Sequence, residues 1–161
     1  MENIFAQPGK PMPHGATIVN DGVNFSVFTR NGTSVILDIF QNPEDENPCF
    51  SYTFDPKINR TGDIWHVFLK GLKAGALYLY RVDGPFNPEK GHRFNKNTYL
   101  LDPYAKSFTD CSVFANLPPD YVTPVDKIDI LTGKTHSAKG FPKCVVIDDD
   151  EFDWQGDRPI N

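Results

Sequence analysis

Residues 78–105 read YLYRVDGPFNPEKGHRFNKNTYLLDPYA, and the fold is decided by how the start of this stretch differs from the rest. The start is a strand. Tyr78, Tyr80 and Val82 fall on one face of a period-2 alternation, with Leu77, Leu79 and Arg81 on the other. Asp83-Gly84-Pro85 ends it. In the excursion that follows, Asn87-Pro88, Gly91, Asn95, Asn97 and Thr98 keep regular structure out. A short apolar return, Tyr99-Leu100-Leu101, stops at Asp102-Pro103. The excursion carries Phe86, Phe94, Tyr99 and Tyr104, an aromatic content that argues against disorder. Loops of this length inside compact domains are usually functional. Its aromatics need a surface to dock on, either this domain's own sheet or a neighbour.

The same alternation recurs upstream. Val23, Phe25 and Val27 alternate with Asn24 and Ser26, and Val35, Leu37 and Ile39 share a face. Residues 50–54 and 64–69 are two further short strands. Turn signals separate them: Asn31-Gly32, the acidic proline-bounded residues 42–48, Asp55-Pro56, residues 59–63 and residues 70–75. Short strands at such spacing predict an all-β, immunoglobulin-like antiparallel β-sandwich with long loops. Asn31-Gly32 is expected to close a hairpin, and residues 64–69 are expected to pair with residues 76–82. Pro8, Gly9, Pro11, Pro13 and Gly15 exclude a helix from residues 5–20, which should lie extended on the surface. The predicted division is a sandwich over residues 1–108. An extended segment over residues 109–161, with Pro118-Pro119 and Pro124, follows it.

Composition narrows the function. Of 161 residues, 13 are Phe, 14 Pro and 12 Gly, so a real core coexists with long loops. A net charge of −5 leaves no basic footprint for nucleic acid and no polybasic membrane patch. No run approaches the roughly 18 apolar residues of a membrane helix, and the first thirteen residues lack an apolar signal core. Cys49, Cys111 and Cys144 are odd in number and widely spaced, without a disulfide or metal pattern. The expectation is a cytoplasmic protein with reduced thiols and no cofactor or metal.

YRVDGPFNPEKGHRFN followed by LLDPYA closely resembles the N-terminal domain of glycogen-debranching enzymes and isoamylases, in the α-amylase clan. Their pattern is YRxxGPxxPxxGxRFN…LLDPYA before a catalytic barrel. The resemblance extends over DGVNFSVFTRN (residues 21–31), WHVFLKGLKAGALYLYRVDGP (residues 65–85) and the FDW…P motif (residues 152–159). It implies a non-catalytic, carbohydrate-binding-module-like sandwich. The parent would hydrolyse α-1,6-glucosidic branch linkages in glycogen or limit dextrin. The family's catalytic carboxylates lie in the barrel, typically about 250 residues, so no catalytic residue is assigned here. An autonomous glycogen- or starch-binding module and a pure interaction domain remain the alternatives.

The remaining candidate chemistry is aromatic. Sugar rings stack their C–H faces on aromatic side chains while amides, lysines and carboxylates take the hydroxyls. Trp65, Phe86 and Tyr104, with Lys70, Asn87 and Asn95 as polar helpers, are the glucan-binding candidates. Trp65 is more simply a buried anchor of a sandwich sheet. Phe86, Phe94, Tyr99, Tyr104 and Trp154 are the candidates for packing against the barrel. His14, His66, His92 and His136 have no metal-ligand spacing. Asp148-Asp149-Asp150-Glu151 is most simply a solvated acidic turn, lacking EF-hand spacing.

Overall fold

The computed structural model describes residues 4–109 and 137–149. Twelve strands are present among them: β1 (Phe5–Pro8), β2 (Gly15–Val19), β3 (Gly22–Phe28), β4 (Ser34–Phe40), β5 (Phe50–Thr53), β6 (Arg60–Thr61), β7 (Ile64–Lys70), β8 (Leu77–Asp83), β9 (Phe86–Asn87), β10 (His92–Arg93), β11 (Ser107–Phe108) and β12 (Cys144–Val145). One sheet runs β1-β7-β3-β2, with β6 added to β7. The other runs β11-β12-β8-β4-β5, and β9 and β10 form a small ribbon. All pairings are antiparallel. The protein is a β-sandwich, with one turn of 3-10 helix at Pro88–Lys90.

The alternation says which side chains meet. Val23, Phe25, Val27, Trp65, Val67 and Leu69 come from the first sheet. Val35, Leu37, Ile39, Tyr78, Tyr80 and Val82 come from the second, and all twelve are buried. Phe25 and Tyr78 touch edge to face across the gap, with ring centroids 5.0 Å apart. Register supports this, since Val35, Leu37 and Ile39 lie opposite Val82, Tyr80 and Tyr78.

Two expected pairings are not formed. Asn31-Gly32 does not close a hairpin, because β3 pairs with β2 and β7 while β4 belongs to the other sheet. Nor do β7 and β8 pair, since Lys70 ends in one sheet and Leu77 begins in the opposite one. Both connections arch across the core, so their inward faces oppose each other instead of lying side by side. Gly71 (φ 91°) and Gly75 (φ 83°) supply the left-handed backbone that the second arch uses.

The outer face of β3 is also buried, where one-sided burial was expected. The lead-in is the cause. β1 and β2 flank the first sheet, and the residues between them cross it. Asn24 Oδ1 accepts from Lys10 N–H at 2.7 Å, Asn24 Nδ2 donates to Lys10 O, and Ser26 Oγ donates to Pro11 O at 2.7 Å. Gly9 makes this crossing possible, since a Cβ there would sit 2.6 Å from the Val67 carbonyl carbon. Beyond residue 108, Cys144 and Val145 return as a strand between β11 and β8.

Candidate functional site

The loop of residues 84–104 is tied down at its far end by a buried polar cluster. Asp102, 1% exposed, accepts from Tyr78 Oη and from Tyr104 N–H, both at 2.8 Å, and its own N–H faces Cys144 Sγ. Leu100 bridges to Tyr80 through a pair of backbone hydrogen bonds. Burial pushes the Asp102 carboxyl up, against the opposing pull of the Tyr104 N–H, the Tyr78 hydroxyl and nearby His14. Burial likewise pushes the Tyr78 and Tyr80 phenols well up and the Cys144 thiol up to about 12, so none of these is a ready nucleophile.

This cluster gives a pH prediction. A carboxyl that holds its proton more tightly folded than unfolded loses stability as pH rises from its ordinary 3.8 through the raised folded value. Asp102→Asn keeps an acceptor for Tyr104 N–H and removes the ionisation. Urea melts of this variant should therefore give a flatter stability curve across that window. A curve as steep as that of the parent chain would mean Asp102 does not carry this dependence.

The structure distributes the sequence candidates over several places. Trp65 is fully buried in the core, its Nε1 facing Thr29 O and its ring under the Arg60 guanidinium, so no sugar can stack on it. Lys70, at the opposite end of β7 and about 17 Å along the strand, is half-exposed and pairs with Asp21 at 2.8 Å. It lines a cleft of about 470 Å³ with Phe5, Ile18 and Leu72. Asn87 caps the 3-10 turn by accepting from Lys90 N–H, and Phe86 beside it is half-buried. Tyr99 is buried against Phe40 and under Arg81, where it belongs to this domain's own packing and not to an exposed interface. Phe94 is half-buried, its ring against Gly84. Tyr104 is 50% exposed and its ring lies tilted against His14, centroids 4.8 Å apart. Asn95 is buried, while Trp154 lies outside the described residues. The candidates do not converge on one site.

Residues 13–105 match the family described as Carbohydrate-binding module 48 (Isoamylase N-terminal domain). The chain belongs to this family. It is 38% identical over 168 residues to isoamylase 1, chloroplastic, of Arabidopsis thaliana, covering 99% of this chain and 19% of the relative. It is also 38% identical over 151 residues to a glycogen debranching enzyme of Yersinia pseudotuberculosis serotype IB (strain PB1/+), covering 94% of this chain and 21% of the relative. The chain thus spans about a fifth of the length of these relatives. Among solved structures it resembles a product complex of SpuA, a multi-modular glycogen-degrading pneumococcal virulence factor (TM-score 0.57, 15% identity, 92% of this chain and 13% of that one). It also resembles the GBS pullulanase SAP in complex with maltotetraose (TM-score 0.56, 18% identity, 89% and 15%). At these identities the two structures speak for the fold alone.

Within this carbohydrate-binding module, no group of three or more His, Cys, Asp or Glu could hold a metal ion among the described residues. No helix among the described residues is long and apolar enough to cross a membrane. His66 is buried on the outer face of β7, its Nε2 2.9 Å from Thr61 Oγ1, and burial pulls its pKa down. Arg93 and Thr98 were missed by sequence reasoning, and with Phe94, Asn95 and Leu100 they line a second, smaller pocket in the loop. The one available signal was their crowding into the RFNKNT stretch.

Proposed function

We propose that this chain is the N-terminal, non-catalytic domain of an enzyme that hydrolyses α-1,6 branch linkages in glycogen or limit dextrin. In this reading it packs against that enzyme's catalytic barrel, contacts the α-glucan, and works in the cytoplasm. Its natural division is a sandwich built on residues 1–108, into which β12 returns, and a remaining segment from 109 onward that leads to the barrel. The observation carrying the reading is 38% identity, over nearly the whole chain, to an isoamylase and a glycogen debranching enzyme. The exposed Tyr104 and Leu100 and the half-buried Phe86 and Phe94 are the residues offered to the barrel. Burying one large apolar side chain contributes roughly 2–3 kcal/mol, so a few of them suffice for docking. Lys70, Phe86, Asn87 and Tyr104 remain the residues offered to glucan.

A chimera tests this. The chain replaces the N-terminal fifth of the Yersinia debranching enzyme, and glycogen debranching and thermal unfolding are followed. The reading expects an active chimera whose two parts unfold together. Tyr104→Ser should separate the two transitions while barely moving the melting temperature of residues 1–161. A folded chimera without debranching activity, or one in which the domain unfolds independently, would overturn the reading.

A further inference from the structure

The cleft of about 470 Å³ lies at the end of the sandwich where the Asn20-Asp21 turn meets the arch after β7. Its walls combine Phe5, Ile18 and Leu72 with Asp21, Lys70 and Asp148. The apolar part is open. Phe5 is 55% exposed, and Val19 and Ile147, the chain neighbours of Ile18 and Asp148, are each 36% exposed. Apolar side chains gathered around one concave site, with charges beside them, mark a surface that something covers.

The chain brings a cover to the rim. Gly75 N–H donates to Val146 O at 2.8 Å and Val146 N–H to Ala76 O at 2.9 Å, so residue 146 is fastened beside the arch that walls the cleft. Asp148 belongs to the wall, and Asp149 next to it pairs with Lys106. Beyond the described residues the chain continues Asp150-Glu151-Phe152-Asp153-Trp154-Gln155-Gly156-Asp157. At 3.3–3.6 Å per extended residue, Phe152 and Trp154 come within reach of anything up to about 14 and 20 Å from Asp148. Side chains two apart share a face of an extended chain, so both rings can turn inward while Asp153 turns out. The cleft has the volume of about sixteen water molecules at roughly 30 Å³ each, room for two rings.

Charge agrees with this occupant. Residues 150–157 carry four carboxylates and no cation, and the cleft lining includes Lys70 and Lys73. Lys70 is paired with Asp21 at 2.8 Å, but both side chains are about half-exposed. Such a pair contributes little and exchanges readily for another carboxylate.

We propose that Phe152 and Trp154 of this same chain fold back into the cleft, their rings against Phe5, Ile18 and Leu72 and their flanking carboxylates toward Lys70 and Lys73. The contact joins the first strand to the segment that follows Asp149 and fixes the direction in which that segment leaves the sandwich. It assigns Trp154 to this domain's own surface instead of to a barrel, and it is independent of any glucan contact.

The test follows Trp154 in the full 161-residue chain. There are two tryptophans and Trp65 is fully buried, so fluorescence open to acrylamide comes from Trp154. Quenching should be several-fold slower than in a free peptide of residues 150–161. Nuclear Overhauser contacts should run from the Trp154 indole to the methyls of Ile18 and Leu72. Phe5→Ser, at an exposed position, should remove most of these contacts and speed quenching toward that of the peptide. Lys70→Glu should do so in part, and more at low ionic strength than at high. Phe28→Ser, similarly exposed but at the opposite end of β3, should change neither. Quenching in the parent chain as fast as in the peptide, without contacts to Ile18 or Leu72, would overturn the proposal. So would Phe5→Ser and Lys70→Glu variants that behave as the parent does. Contacts seen only between differently labelled copies in a mixed sample would make the occupant a second copy, and contacts to Phe86 or Tyr104 in place of Ile18 and Leu72 would move Trp154 to the long loop. Either result would overturn it.

Discussion

Asp38→Ala should destabilise the domain by about 3–5 kcal/mol, the usual cost of stripping one partner from a buried ion pair. Asp38 is fully buried on β4 and accepts from Arg81 Nε at 2.5 Å and Nη2 at 2.9 Å, and from Ser51 Oγ at 2.5 Å. The pair is not directly cross-strand, since Asp38 lies opposite Leu79 and Arg81 opposite Ile36. The guanidinium reaches diagonally along one face of the sheet and also lies over the Tyr99 ring. Removing the carboxylate leaves a largely buried cation without its counter-charge and releases the ring that pins the long loop. The double variant Asp38→Leu/Arg81→Met should recover much of the loss, because apolar side chains of similar volume carry no desolvation cost. Chemical unfolding of the parent, both single variants and the double variant measures the coupling. A single-variant loss under about 1 kcal/mol, the range of surface pairs, would show that the pair is not a buried anchor.

Lys143→Met should cost about 2–4 kcal/mol through the carbonyl groups it strands. The ammonium is buried and donates to Pro43 O at 2.5 Å, Ala138 O at 3.0 Å and Phe141 O at 3.4 Å, over the Phe40 ring. Desolvation pulls its pKa down, and nearby Glu44 and Asp45 hold it up. Together with Ala138 N–H and Ser137 Oγ, which donate to Glu46, this side chain fastens residues 137–146 to the acidic loop after β4. The loss should therefore be local before it is global. Amide exchange should accelerate at Thr109, which donates to Lys143 O, and at Val146, which donates to Ala76 O, and much less at Val67 in the central strand. Uniform acceleration would mean that residues 137–146 do not open as a separate unit.

How far the sequence could be read follows from what periodicity reports. Alternation at Tyr78, Tyr80 and Val82, and at Val23, Phe25 and Val27, identifies the face each strand buries, and those faces do form the core. It does not say which sheet a strand joins. A glycine-bearing turn that arches across a core looks the same as one that closes a hairpin, so β3–β4 and β7–β8 were both misjoined. Asn24 and Ser26 looked like a solvated face because their partners, Lys10 and Pro11, are backbone groups that no side-chain pattern reveals. Asp38 and Lys143 carried no sequence signal, for a related reason. Each is buried by partners 43 and 100 residues distant in the chain, which only the folded register brings together. The candidate site fared less well than the fold. Trp65 had a sugar-stacking reading and a core reading, and burial decides for the core. Arg93 and Thr98 carried only the faint signal of polar crowding in the RFNKNT stretch.

The central claim is that this domain serves a glucan-debranching enzyme without performing the chemistry itself. The most direct measurement incubates purified residues 1–161 with glycogen and with pullulan and follows reducing ends. No release above the protein-free control is the predicted result. Release that disappears on substituting a single Asp or Glu of this chain would contradict the account.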